Sequence, residues 1–292
     1  MKKVLFTIVT LCVFALSCTK EADGLTSTMG LAEKKEQVSE LLRLINEKSF
    51  MVGEQHNKGV VEILKGLPKV TRSDGNHIEA IKQYAMDKVD SILDNCLLKE
   101  LYLSEYDDYF DSVTLGHSNL PPMQIPLLDP LRLVNLDSLP RTLVSTIDSI
   151  LISTDTAQVV VLERLYKVIQ KTENIREEDV RNMVSGMASI AANSYVFWNE
   201  LYDNCSPHIP SMPPATRPTF GGIVKADAAG AGAYITLSWF GVINAVSKWK
   251  TIAANAAAFS VAYIIENIDW PNAFDFSAVS DAIKQRIVEM QN

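Results

Sequence analysis

Residues Ala226 to Ile265 constrain this chain more than any other stretch. The run opens Ala-Asp-Ala-Ala-Gly-Ala-Gly-Ala and carries no charge from Ala228 to Ser247. It breaks at Lys248-Trp249-Lys250 and is uncharged again from Thr251 to Ile265. Small residues recur four apart, as in Ala226 and Gly230, Ala229 and Ala233, Gly241 and Ala245, Ala254 and Ala258. Positions four apart share one helix face, and a face without bulk lets two backbones approach closely. The pattern predicts two apolar helices folded back on each other around a basic turn. Trp239, Phe240, Trp249, Phe259 and Tyr263 supply bulk elsewhere on the pair. The first arm just reaches the roughly 20 residues that a membrane span needs, and the second falls short. The expectation is a buried core hairpin of a helical domain. A hairpin that leaves the fold to enter a bilayer is the first rival, and a partner or oligomer interface the second. Ala229, Ala233, Trp239, Gly241, Trp249, Ala254 and Ala258 are the candidate contact residues of such a hairpin.

A chain of 292 residues with 47% hydrophobic side chains has ample material for a core, which excludes wholesale disorder. Its formal charge is −8, and loss of Lys2 and Lys3 with a leader would take it to −10. An acidic chain without a basic run is a poor nucleic-acid binder, because neutralising phosphates supplies most of that affinity.

The first residues read as an address. Lys2 and Lys3 precede an apolar stretch, Val4 to Ala15, that is too short to span a bilayer. It ends at Ala15-Leu16-Ser17-Cys18. This resembles the lipobox of bacterial lipoproteins, departing from it in having Ala15 where leucine is preferred. The resemblance implies that residues 1–17 are a signal peptide and that Cys18 is acylated and becomes the first mature residue. The absence of aspartate directly after Cys18 resembles outer-membrane sorting in that family, so the anchor implies the bacterial cell envelope. Residues 18–30 are then a lipidated tether, small and polar.

Helical spacing recurs along the body. Leu31, Val38, Leu41, Leu42 and Ile45 share a face, and a short helix is expected over 57–65. Asn76 with Glu79 looks like a capping box ahead of a helix that aligns Ile78, Ile81, Ala85, Val89, Ile92 and Cys96. From Tyr102 to Pro140 the period fails, so a solvated acidic loop around Glu105, Asp107, Asp108 and Asp111 and a proline-rich crossing are expected. Calcium is the sharp reading of those acids, but EF-hand spacing is missing. Leu143, Val144, Ile147, Ile150 and Leu151 resume the helical period. Asp155 is the expected cap of the next helix, with Val159, Val160, Tyr166 and Ile169 inward. Val180, Val184, Met187, Ala191, Ser194, Trp198, Leu201 and Cys205 alternate steps of four and three, a heptad-like seam. A bundle helix is favoured over an oligomeric coiled coil, because Tyr195 and Phe197 on the other face also need cover. Pro207, Pro210, Pro213, Pro214 and Pro218 forbid helix over 206–222. A final amphipathic helix is expected over 278–290.

With Cys18 lipidated, Cys96 and Cys205 lie on separate apolar seams. Two readings stay open: a disulfide, plausible chemistry in an oxidising envelope, or two buried thiols. No CxxC or nearby Cys/His pair suggests a metal. The four histidines, His56, His77, His117 and His208, belong to no recognisable catalytic motif. Glu54-Gln55-His56 offers too few ligands for an ion. No catalytic residue, metal site or cofactor is assigned.

The expected fold is all-α: a helical bundle over 31–205, a proline-rich linker over 206–222, and a small-residue hairpin with a terminal helix over 223–292, packed on the bundle. The chain as a whole resembles uncharacterised bacterial envelope lipoproteins. The expected function is binding or structural interaction by a membrane-anchored protein, with an unknown protein or small ligand as partner. The alternatives are a membrane-active effector that inserts residues 228–265, as pore-forming toxins do, and an enzyme with dispersed catalytic groups.

Overall fold

The structure is a computed structural model of the chain. It describes residues 30–49, 51–66, 79–83, 86–87, 99–114, 127, 134–153, 157–205, 224–230, 256–259 and 261–263. Among these residues the fold is all-α, without strands. The chain divides between Glu40 and Leu41 into two units. Helix α1, Leu31–Lys48, crosses that boundary, and Lys34 N–H bonds to the carbonyl of Gly30 at its start.

Helix α2 spans Val52–Gly66, α3 Lys99–Thr114, α4 Ser138–Ile152, α5 Gln158–Thr172 and α6 Glu178–Cys205. Further helical pieces lie at 79–83, 86–87, 224–230, 256–259 and 261–263. Helix α6 is central: α2, α4 and α5 all pack on it. Every residue from Asn182 to Ser194 is buried. The reason is compositional, since the chain carries no charge between Arg181 and Glu200 and is rich in alanine and serine. A helix without a charged face is stable only when surrounded. The heptad seam therefore describes only one side of α6. Met183, Ile190, Ala192, Val196 and Phe197 are buried on the others.

Helix α4 buries Leu143, Val144, Ile147, Ile150 and Leu151, the face its spacing predicts. It begins earlier than expected, at Ser138, and takes Pro140 into its first turn, where a missing N–H costs nothing. The Arg141 guanidinium donates to the carbonyls of Val134 and Leu136 at 2.6 and 2.7 Å, tying down the preceding turn.

The structure departs from two of the expectations. Residues 102–111 are not a loop: they lie inside α3, with Phe110 and Val113 fully buried. Glu105, Asp107, Asp108 and Asp111 mask the period, but Tyr102, Tyr106, Phe110 and Val113 step by four, four and three. Helix α5 is capped by Ala157 rather than Asp155, and no side chain bonds its first turn. Its inner face is turned accordingly. Val161, Leu162, Leu165, Val168 and Ile169 are buried, while Val159, Val160 and Tyr166 are only half-buried. A helix that starts in a run of three valines gives its neighbours the choice of face, and packing on α6 selects Val161.

The helix expected over 57–65 begins earlier, at Val52. Between α1 and α2 the chain turns through Met51, whose φ of 57° is left-handed. Met51 N–H returns to the carbonyl of Asn46 at 3.0 Å, closing α1. The linker at 206–222, the Asn76 cap and the helix expected over 278–290 lie outside the described residues.

Candidate functional site

The most unusual chemistry sits where α2 and residues 224–230 meet α6. Gly53, in the first turn of α2, is buried against α6, so the two backbones come close. That approach brings a line of polar side chains into the contact. The Ser49 hydroxyl is 2.7 Å from the Ser189 hydroxyl and 2.7 Å from the carbonyl of Ile45. Asn193 Nδ2 donates to Asn46 Oδ1 and to the Ser189 carbonyl, both at 2.9 Å. Asn57 Nδ2 donates to the Asn193 carbonyl at 3.3 Å.

The line ends in a sealed node. His56 Nε2 lies 2.7 Å from Asp227 Oδ1. The other oxygen of Asp227 accepts the Ser194 hydroxyl and, at 3.1 Å, the Trp198 indole N–H. His56, Ser194 and Asp227 are all fully buried. Buried polar groups are tolerated when each finds a partner, and this carboxylate finds three. Two positions before Asp227, Lys225, also fully buried, places Nζ 2.6 Å from Asp148 Oδ1 on α4.

Three residue types of hydrolases are therefore together, but in the wrong order. A serine nucleophile needs the base within hydrogen-bond reach, with the carboxylate behind the base. Here the carboxylate stands between hydroxyl and imidazole, so the imidazole is not at the Ser194 oxygen.

No known protein family, characterised protein or solved structure matches this chain.

The candidate hairpin residues are only partly described. Ala229 and Ala258 are fully buried in helical segments. Gly230 meets the other segment so closely that a Cβ there would lie 2.8 Å from the Phe259 ring and 2.9 Å from Ala256 Cα. Phe259 also stacks edge-on against Phe110 of α3, with centroids 4.7 Å apart. Tyr263 is buried nearby in sequence, and burial pushes its phenol up to about 12. Ala233, Trp239, Gly241, Trp249 and Ala254 lie outside the described residues, as do Cys18, Cys96 and the side chain of Cys205.

Glu54 pairs with Lys58 on the surface of α2 at 2.7 Å and does not join His56. Among the described residues no three His, Cys, Asp or Glu side chains could hold a metal ion, and no helix is long and apolar enough to cross a membrane. The acids of α3 do something else: Asp107 and Asp111, one turn apart, both hold Lys82 of the 79–83 turn, at 2.7 and 2.8 Å.

Sequence reasoning missed Asp227, Lys225 and Asp148. One signal was available. An aspartate between Ala226 and Ala228 in an apolar run is costly to bury unpaired, so a buried partner is required. Nothing local names His56 as that partner, 171 positions away.

Proposed function

We propose that this chain is a lipid-anchored protein of the bacterial cell envelope, acylated at Cys18, that works by binding or structural interaction and not by catalysis. The supporting observation is the node itself. Its histidine and serine are sealed from solvent, joined only through the Asp227 carboxylate, and ordered so that the imidazole does not meet the serine hydroxyl. Polar groups used in this way hold helices in place. The leader and the cysteine at its end support the anchor, and the acidic balance of the chain argues against a nucleic-acid partner. Cells expressing the chain are fed labelled palmitate and fractionated. The wild type should carry label and sediment with outer membranes, and Cys18→Ser should do neither. An unlabelled wild type would sink the anchor.

A second reading has one observation in its favour. The two described ends of the small-residue run touch at Gly230, Ala256 and Phe259, as a hairpin would. Small-xxx-small contacts also hold helices together inside lipid, so such a hairpin suits a membrane-active effector. Dye-loaded liposomes mixed with the full chain decide the matter, and absence of leakage at every pH tried removes this reading.

A further inference from the structure

Lys225 and Asp227 stand at the head of the small-residue run, two positions apart and both fully buried. They carry opposite charges and meet different helices, Asp148 on α4 and His56 on α2. The hydrogen bonds also hold the His56 ring at both nitrogens. Asn57 uses its Nδ2 to donate to the Asn193 carbonyl, which turns its Oδ1 toward His56 Nδ1 at 3.0 Å. An amide oxygen only accepts, so Nδ1 holds a hydrogen. On the other side of the ring Nε2 faces Asp227 Oδ1, on a carboxylate whose second oxygen already accepts two bonds. One hydrogen lies between Nε2 and Oδ1, on whichever group holds it, so the ring is tied at both of its nitrogens.

We infer that Asp148, Lys225, Asp227 and His56 form a two-sided polar latch that sets where the small-residue run seats in the bundle. The neighbours of the two charges, Ala226, Ala228, Ala229 and Gly230, give little shape to distinguish one seating from the next. Shape alone would let the segment slip. The charges forbid it. A displaced segment would bury Lys225 or Asp227 without its partner, or bring Asp227 toward Asp148 and Lys225 toward His56. Buried ion pairs repay their desolvation poorly compared with apolar packing. Their best-attested use is to select one arrangement among several, and an alanine-rich segment is where such selection is needed. The latch stands independently of the lipid anchor and of any membrane activity.

The test uses the full chain, purified in detergent. In hydrogen exchange of the peptide covering 224–230, His56→Leu should speed exchange about tenfold or more, because Asp227 is left buried without its ring partner. Wild-type exchange in that variant overturns the inference. The same peptide tests the other side. Lys225→Asp should speed its exchange about tenfold or more. The exchanged pair, Lys225→Asp with Asp148→Lys, should return it to within about threefold of wild type. Exchange in the pair as fast as in the single variant would show that charge does not seat the segment. So would wild-type exchange in Lys225→Asp.

Discussion

Replacing Gly53 by alanine adds one methyl group at the closest approach of α2 to α6. Its carbon would lie 2.3 Å from Asn193 Nδ2, 2.7 Å from Asn193 Cγ and 2.5 Å from the Ser189 carbonyl oxygen. The Asn193 side chain can swing away only by giving up its bonds to Asn46 Oδ1 and the Ser189 carbonyl. Leaving that buried amide unpartnered costs about 1–3 kcal/mol. The Ser189 carbonyl cannot swing, because it belongs to the backbone of α6. The helices must separate, and overpacking of this kind costs about 1–3 kcal/mol more. Alanine recovers up to ~1 kcal/mol through its better helix propensity. The net expectation is a loss of about 1–6 kcal/mol, obtained from those three contributions. Urea unfolding followed by far-ultraviolet circular dichroism reads it as a lower midpoint at an unchanged slope. In the Asn193→Ala background the same change should cost less, because two of the three clashes are gone while the Ser189 carbonyl remains. A Gly53→Ala midpoint equal to or above wild type would refute the reasoning, and Gly53 would then be merely a weak helix former.

Three further outcomes follow from the structure. Burial holds the Tyr263 phenol at about 12, against about 10 in an unfolded chain. Its contribution is complete below about pH 10 and is lost as pH rises toward 12, about 3 kcal/mol in all. Tyr263→Phe should therefore flatten the alkaline fall in stability, and identical alkaline unfolding curves for the two proteins would count against the burial of the ring. Burial works against the charge on Lys82, but its hydrogen bonds to Asp107 and Asp111 and their charges outweigh it, so its pKa ends above the ordinary value. Its contribution is present below about pH 10.4 and is lost as pH rises through the folded value. Lys82→Met should cost about 1 kcal/mol at neutral pH and less in high salt, and no cost at low salt would show that the bridge adds nothing. Met51 occupies a left-handed conformation and is largely exposed, so Met51→Gly should raise the urea midpoint by up to ~1 kcal/mol of stability. A fall would mean that the methionine side chain holds the α1–α2 turn.

Local pattern was enough for the fold class and for several faces. Helix α4 buries the five apolar residues its spacing names, because its charged and polar residues occupy the other positions cleanly. Helix α3 was misread for the opposite reason, since four acids interleaved with aromatics hide a period that the fold exploits by turning Asp107 and Asp111 onto Lys82. The inner face of α5 was displaced because successive valines offer more than one face. Helix α6 was read as a seam, although its lack of charge over more than four turns already implied cover on every side.

The polar node belongs to a different level. Residue order shows an aspartate and a lysine inside an alanine-rich run, and physical chemistry then demands that both be paired if buried. It cannot say with what. His56 and Asp148 become the partners only when α2, α4 and α6 are packed, because hydrogen bonds act over about 3 Å of space and are indifferent to distance along the chain. Helix, burial and the need for partners are properties of neighbours in sequence. The choice of partner, and the single seating it imposes, is a property of neighbours in three dimensions.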